Sequence, residues 1–234
     1  MKQLILNNLD LINQRIKKAC ENCGRNPQEV KLLLATKTVA PDIIKIALEN
    51  GSTLIGENKV QEVKLKYDEL KAIPHQNHFI GHLQTNKIKD LLKCNISCIQ
   101  SVDRMDLAEK IQSKLEQENK TLDILIQVNT SGEISKYGVA PTEAIDLIKK
   151  ISKLDRLNIK GLMTIGALSD NQLVVRNCFR LLMNIKKEVE QLQLPSVEMK
   201  ELSMGMSSDL ELAIAEGATI IRVGSAVFGN RVYN

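Results

Sequence analysis

Lys31-Leu32-Leu33-Leu34-Ala35-Thr36-Lys37 is an apolar run bounded by cations, and Ile220-Ile221-Arg222-Val223-Gly224-Ser225 is its counterpart near the other end of the chain. Together with the stretch 123–129 they read as near-continuous apolar strands, the signature of a parallel sheet covered on both faces. Working outward from these anchors, strands are expected at 31–36, 53–57, 78–82, 96–102, 123–129, 159–166, 200–204 and 219–224. Helical patterns separate them. Pro41 opens a helix that stops at Gly51, a Pro-start and Gly-stop arrangement. Further helices are expected over 103–119, 141–154, 171–192 and 208–216, and Asn58 to Glu62 open another after the second strand. Ahead of them all, Ile5, Leu9, Ile12, Ile16 and Ala19 step by four and three, which predicts a one-faced helix over 3–23 ending at Gly24.

Eight strands with intervening helices indicate one (β/α)8 TIM barrel spanning residues 1–234 as a single domain. No linker, repeat or low-complexity segment divides the chain. Only ten residues follow Gly224, too few for a long eighth helix, so the N-terminal helix is expected to cover that gap. A doubly wound open sheet is the alternative, because pattern alone does not prove closure.

In such barrels chemistry gathers at the C-terminal ends of the strands. Lys37, Asn58, His82, Asn129, Met163, Ser203, Arg222 and Gly224 all fall at or near those ends. An amine held near a buried strand end has its pKa lowered by desolvation and becomes nucleophilic toward an aldehyde. Arg222 cannot realistically be neutralised, so inside an apolar strand it needs an acceptor, and no neighbour in sequence supplies a carboxylate. Gly224-Ser225 offers backbone N–H groups and a hydroxyl for an anion. Amine, fixed cation and anion cradle match the aldehyde, ring and phosphate of pyridoxal 5'-phosphate.

Each of these features also has a plainer reading. Lys37 alone reads as a strand-end lysine reaching solvent, and Arg222 as half of a structural ion pair. Asn58 could cap the helix that follows. His82 could donate to a cofactor, act as a base or be structural. Lys136, in the loop Asn129-Thr130-Ser131-Gly132-Glu133 and beyond, could meet a substrate carboxylate or be solvated. Glu57 and Glu62 do not share a helix face and make no obvious acid–base pair. In Ser203-Met204-Gly205-Met206-Ser207-Ser208-Asp209 the last three residues are good N-caps, and the helix start they mark is also an anion site.

Composition narrows the classes. Aromatic residues make up 3% with no Trp, which weakens a single-strand nucleic-acid reading. The net charge of +4 comes from 32 Lys and Arg against 28 Asp and Glu mixed along the chain, the pattern of a solvated surface. No apolar stretch approaches the roughly 18 residues of a membrane span, and the N-terminus is no secretory signal. Five cysteines, an odd number, fit a reducing cytoplasm better than a disulfide framework. Cys20 with Cys23 and Cys94 with Cys98 could suggest zinc or redox chemistry, but no His accompanies either pair and inert thiols are the preferred reading.

The segments LLLATKT, IGENKVQE, HFIGHLQTNK, QSVDR, IQVNTSGEISKYGV, KGLMTIGA, LSMGMSSDLELAI and IRVGSAVFGNR, taken in order from residue 31 to residue 231, closely resemble the pyridoxal phosphate homeostasis protein family. The resemblance implies the barrel of the alanine racemase N-terminal type, without the racemase β-domain. It implies that Lys37 carries the cofactor as a Schiff base and that Arg222 faces the pyridine nitrogen. Ser207, Gly224 and Ser225 would hold the phosphate, with Asn58, Met163, Ser203 and Met206 completing the cofactor-binding set. It implies a non-enzymatic carrier that balances pyridoxal phosphate and amino-acid pools; a cytoplasmic monomer with apoenzymes as its partners is the accompanying expectation, while the sequence itself leaves the recipients and the oligomeric state open. An amino-acid racemase is the competing class. A racemase of this fold uses a second base, a partner subunit's β-domain tyrosine, and this chain ends at Asn234 with only Tyr67, Tyr137 and Tyr233 of its own.

Overall fold

In the computed structural model, which describes residues 1–229, eight parallel strands close into a barrel in strict chain order. They are β1 (Lys31–Ala35), β2 (Leu54–Glu57), β3 (Gln76–Phe79), β4 (Cys98–Val102), β5 (Leu122–Gln127), β6 (Leu157–Met163), β7 (Val197–Ser203) and β8 (Ile220–Val223). Closure is made by β1 against β8, where Leu33 pairs with Arg222 and Leu34 with Val223. The open-sheet alternative is thereby removed.

The helices are α1 (Lys2–Asn22), α2 (Pro41–Leu48), α3 (Val60–Leu70), α4 (Ile88–Leu92), α5 (Met105–Glu118), α6 (Pro141–Ile151), α7 (Gln172–Gln191), α8 (Leu210–Ala215) and α9 (Ser225–Phe228). α4 and α9 were not expected from the sequence, being too short to show a period. The third strand is shifted from its expected 78–82, because the polar Gln76 and Asn77 take up pairing with Leu54 and Ile55, while only the Ile80 N–H, donating to Glu57 O at 2.9 Å, continues the ladder past Phe79. The seventh begins earlier than expected, at Val197, with exposed Glu198 and Lys200 alternating against buried Met199.

α1 fills the gap after β8, as its apolar stripe foretells. It buries Ile5, Leu9, Ile12, Ile16, Ala19 and Cys20 against α2, α8 and α9. Each fully buried Ile or Leu contributes roughly 1.5–3 kcal/mol. Polar ties fix its azimuth: Asn8 Nδ2 donates to Val227 O at 3.0 Å, and Arg15 donates to Ser207 O at 2.9 Å while pairing with Glu211 at 2.7 Å. The Ser207 loop and α9 are therefore both held by this first helix. No helix among the described residues is long and apolar enough to cross a membrane.

Candidate functional site at the barrel mouth

The C-terminal ends of β1, β2, β6, β7 and β8 surround a cleft of about 960 Å³. Lys37, Asn58, Met163, Met206, Ser207, Arg222, Gly224 and Ser225 all line it, joined by Thr38, Val39, Ile43, Ile80, Ile165 and Phe228. Residues from 37 to 225 thus meet at one mouth. Of the nine residues singled out from sequence, Ser203 is the exception. It is fully buried beneath the cleft, its Oγ lying between Arg222 and Gln100.

Lys37 is half-buried, two residues beyond β1. The next residue, Thr38, adopts φ 64°, a left-handed conformation costly for a β-branched residue. The strand therefore does not simply run on into its helix; it turns at Lys37, and the side chain is delivered into the cleft. Thr36 N donates to Gly56 O at 3.0 Å and Val39 N to Thr36 O at 3.0 Å, which fixes both flanks of the turn. A polar cluster of Glu57, Glu62 and Lys66 lies behind it. Sequence reading missed Lys66 because its place on α3 looks like a solvated helix position.

Arg222 is 6% exposed. Its acceptors are neutral: Nη1 donates to Ser203 Oγ at 2.8 Å and Nη2 to Thr164 O at 2.7 Å. Ser203 Oγ donates onward to Gln100 Oε1 at 2.6 Å, and Gln100 Nε2 meets His78 Nδ1 at 2.8 Å. The arginine is thus held by a hydrogen-bonded chain through the barrel interior and by no carboxylate within ion-pair distance among the described residues. Burial lowers its pKa to about 10, opposed by the charge of Asp209, so it remains a cation at neutral pH. Burial likewise pushes the Asp209 carboxyl up, against the pull of the Met206 N–H and of Arg222. Asp209 Oδ1 accepts that N–H at 2.6 Å and shapes the Met206–Ser207 loop.

Asn58 does not cap α3, whose N-cap is Lys59 with no side-chain cap. Its Oδ1 is buried without a hydrogen-bond partner among the described residues. A buried amide lacking a protein partner, on the wall of a cleft, suits a polar ligand group. Gly81 presses on this residue: a Cβ there would lie 2.0 Å from Asn58 O, so only glycine lets the two loops meet. Gly224 does the same on the other side, where a Cβ would lie 2.9 Å from Ala35 O, and it leads into α9 with no side-chain cap. A lysine, a fixed arginine, an amide with spare bonding capacity and an uncapped Gly-Ser turn fit the aldehyde, ring and phosphate of pyridoxal phosphate.

Other expected candidates lie elsewhere. His82 stacks on Tyr137 with ring centroids 3.9 Å apart, and neither lines the cleft. Lys136 is engaged by Glu133 at 2.6 Å and Gly166 O at 2.9 Å. Tyr67 lies beside α3's own cavity, and Tyr233 is outside the described residues. Burial raises the thiols of Cys20, Cys94 and Cys98 above their ordinary range, which leaves them protonated and weakly nucleophilic.

Comparison with known proteins agrees with this geometry. Residues 8–232 match the family described as alanine racemase, N-terminal domain. The pyridoxal phosphate homeostasis protein of Aquifex aeolicus is 43% identical over 225 residues, covering 96% of this chain and 97% of that one. The chain belongs to the pyridoxal phosphate homeostasis protein family. A solved structure of PipY from Synechococcus elongatus with pyridoxal phosphate bound superposes with a TM-score of 0.79 at 31% identity, over 92% of this chain and 100% of PipY. An alanine racemase from Clostridium difficile shares the fold at 15% identity, with a TM-score of 0.78 over 98% of this chain and 58% of the racemase. The chain therefore shares the barrel of its family.

Proposed function

We propose that this homeostasis-family protein binds pyridoxal 5'-phosphate at the barrel mouth and maintains cellular pools of the cofactor and of amino acids as a carrier without robust catalysis. The observation that carries the reading is the convergence of Lys37, Arg222 and Gly224-Ser225 on one cleft. Lys37 holds the aldehyde as a Schiff base, Arg222 faces the ring nitrogen, and Ser207, Gly224 and Ser225 receive the phosphate. Asn58, Met163 and Met206 form the walls, while Ser203 acts through Arg222. The setting is the cytoplasm, the protein acts as a monomeric single domain, and apoenzymes are the natural recipients.

Two features favour a carrier over a racemase. A permanent cation at the ring nitrogen disfavours its protonation and weakens the ring as an electron sink, which racemases of this fold tolerate, so the greater weight falls on the second feature. Racemisation also needs one group to remove a proton and another to return it on the opposite face. Among the described residues the cleft lining presents Lys37 and Arg222 but no carboxylate, imidazole or phenol. Incubation of the loaded protein with L-amino acids in deuterium oxide tests this. Exchange of the α-hydrogen barely above that with free pyridoxal phosphate is expected. Exchange at roughly one per second or faster, abolished by Lys37→Ala, would establish an enzyme instead.

A further inference from the structure

We propose that Lys66, Glu57 and Glu62 form a clamp whose role is to position Lys37 for Schiff-base formation, acting through the backbone on either side of it. The inference rests on the reading that Lys37 takes the aldehyde, whose carbon its amine attacks with loss of one water. None of the three is in the cleft lining, so they are positioning residues and not groups that touch the cofactor.

An ammonium has three N–H donors, and the Lys66 donors are all placed. Nζ donates to Thr36 O at 2.8 Å, to Glu57 Oε1 at 2.7 Å and to Glu62 Oε2 at 2.8 Å. Glu62 Oε2 in turn accepts the N–H of Thr38 at 2.6 Å. Thr36 Oγ1 donates to Glu57 Oε1 at 2.6 Å. The residue before Lys37 is thus tied by its carbonyl and its hydroxyl, and the residue after it by its N–H. Side-chain exposures of 9% for Lys66, 2% for Glu57 and 17% for Glu62 put these contacts largely out of water.

The anchor points fall where strain is stored. A left-handed Thr38 persists only when its surroundings over-determine it, and the Glu62 carboxylate does so by holding its N–H. Stability is a weak reason for this arrangement, because buried ion clusters are often no better than well-packed apolar residues of the same volume. What the cluster does supply is a fixed conformation. Its members come from β2 and α3, and their common target is the turn at the end of β1.

Two variants and two ligands make the test. Lys66→Met alone would strand two buried carboxylates, so the double variant Glu57→Gln/Lys66→Met removes one charge of each sign, and Lys66→Arg restores a cation with several donors. Pyridoxine 5'-phosphate has no aldehyde and reports the ring and phosphate contacts alone. In the double variant Glu62 loses the ammonium that holds its carboxylate in place, so its bond to the Thr38 N–H should loosen, and hydrogen exchange at that amide in the cofactor-free protein should quicken about tenfold or more. The equilibrium for the Schiff base, read from its absorbance band, should fall by a similar factor. Pyridoxine 5'-phosphate affinity should stay within about twofold of the parent, and Lys66→Arg should recover part of the band. Equal weakening toward both ligands would mean general damage and would overturn the clamp, as would an unchanged band with an unchanged Thr38 amide. If the parent protein itself shows no band, the reading of Lys37 falls, and the positioning role with it; a parent band that is insensitive to these substitutions removes the positioning role alone.

Discussion

Ser203→Ala separates a residue that supports Arg222 from one that touches a ligand. The hydroxyl accepts from Arg222 Nη1 at 2.8 Å and donates to Gln100 Oε1 at 2.6 Å, in a position with no solvent exposure. Its removal leaves a charged donor and an amide acceptor facing each other without a partner. Each buried group left unsatisfied costs about 1–3 kcal/mol, so the two together predict a loss of about 2–6 kcal/mol. Arg222 keeps its Thr164 O bond at 2.7 Å, so the site should survive in weakened form. Equilibrium unfolding in urea of the cofactor-free protein measures this, with an unchanged denaturant slope as the sign that only stability moved. Adding Gln100→Leu should recover part of the loss, because the stranded acceptor is then gone. A loss below about 0.5 kcal/mol, combined with abolished cofactor binding, would refute the reasoning and return Ser203 to the cleft wall.

Two further outcomes follow from the same contacts. Gly224→Ala places a Cβ 2.9 Å from Ala35 O, a steric clash with the backbone of β1; thermal melting should show a loss of about 1–2 kcal/mol, typical of overpacking, and pyridoxal phosphate should bind more weakly because β1 is displaced just before Lys37. Burial, reinforced by the charge of Lys31, lowers the His78 pKa from 6.5 to about 4. A depressed folded pKa means that the unfolded chain takes up a proton first as pH falls. The stabilisation is therefore complete above about pH 6.5 and declines toward pH 4, by about 2 kcal/mol at pH 5. Urea unfolding at pH 7.5 and pH 5 should show a smaller drop in His78→Gln than in the parent; equal drops would contradict it.

The fold was legible where the physics is local. β1, β5 and β8 declare themselves because strands covered on both faces are near-continuous apolar runs, and α1 because its buried stripe from Ile5 to Ala19 keeps a helical period of four and three. Lys37 and Arg222 were legible for the same reason inverted, as cations where apolar residues are expected. The support behind them was not. Glu62 and Lys66 are four apart on α3 and look like an ordinary surface pair until α3 packs against the barrel wall and buries them. Asn58 looks like a helix cap from its place before α3, and only the structure shows the helix starting two residues later, with Asn58 in the cleft wall and its Oδ1 buried without a partner among the described residues. Gln100 lies on β4, Ser203 on β7 and Thr164 just past the end of β6, and no spacing in sequence links them.

The central claim is that Lys37 holds pyridoxal phosphate as a Schiff base. Borohydride reduction of the loaded protein followed by peptide mass analysis tests it most directly, since reduction converts the carbon–nitrogen double bond to a stable secondary amine. The pyridoxyl group is expected on the peptide containing Lys37, with Lys37→Ala giving no adduct there. An adduct on another lysine of the unsubstituted protein, or none at all with the cofactor saturating, would contradict the account.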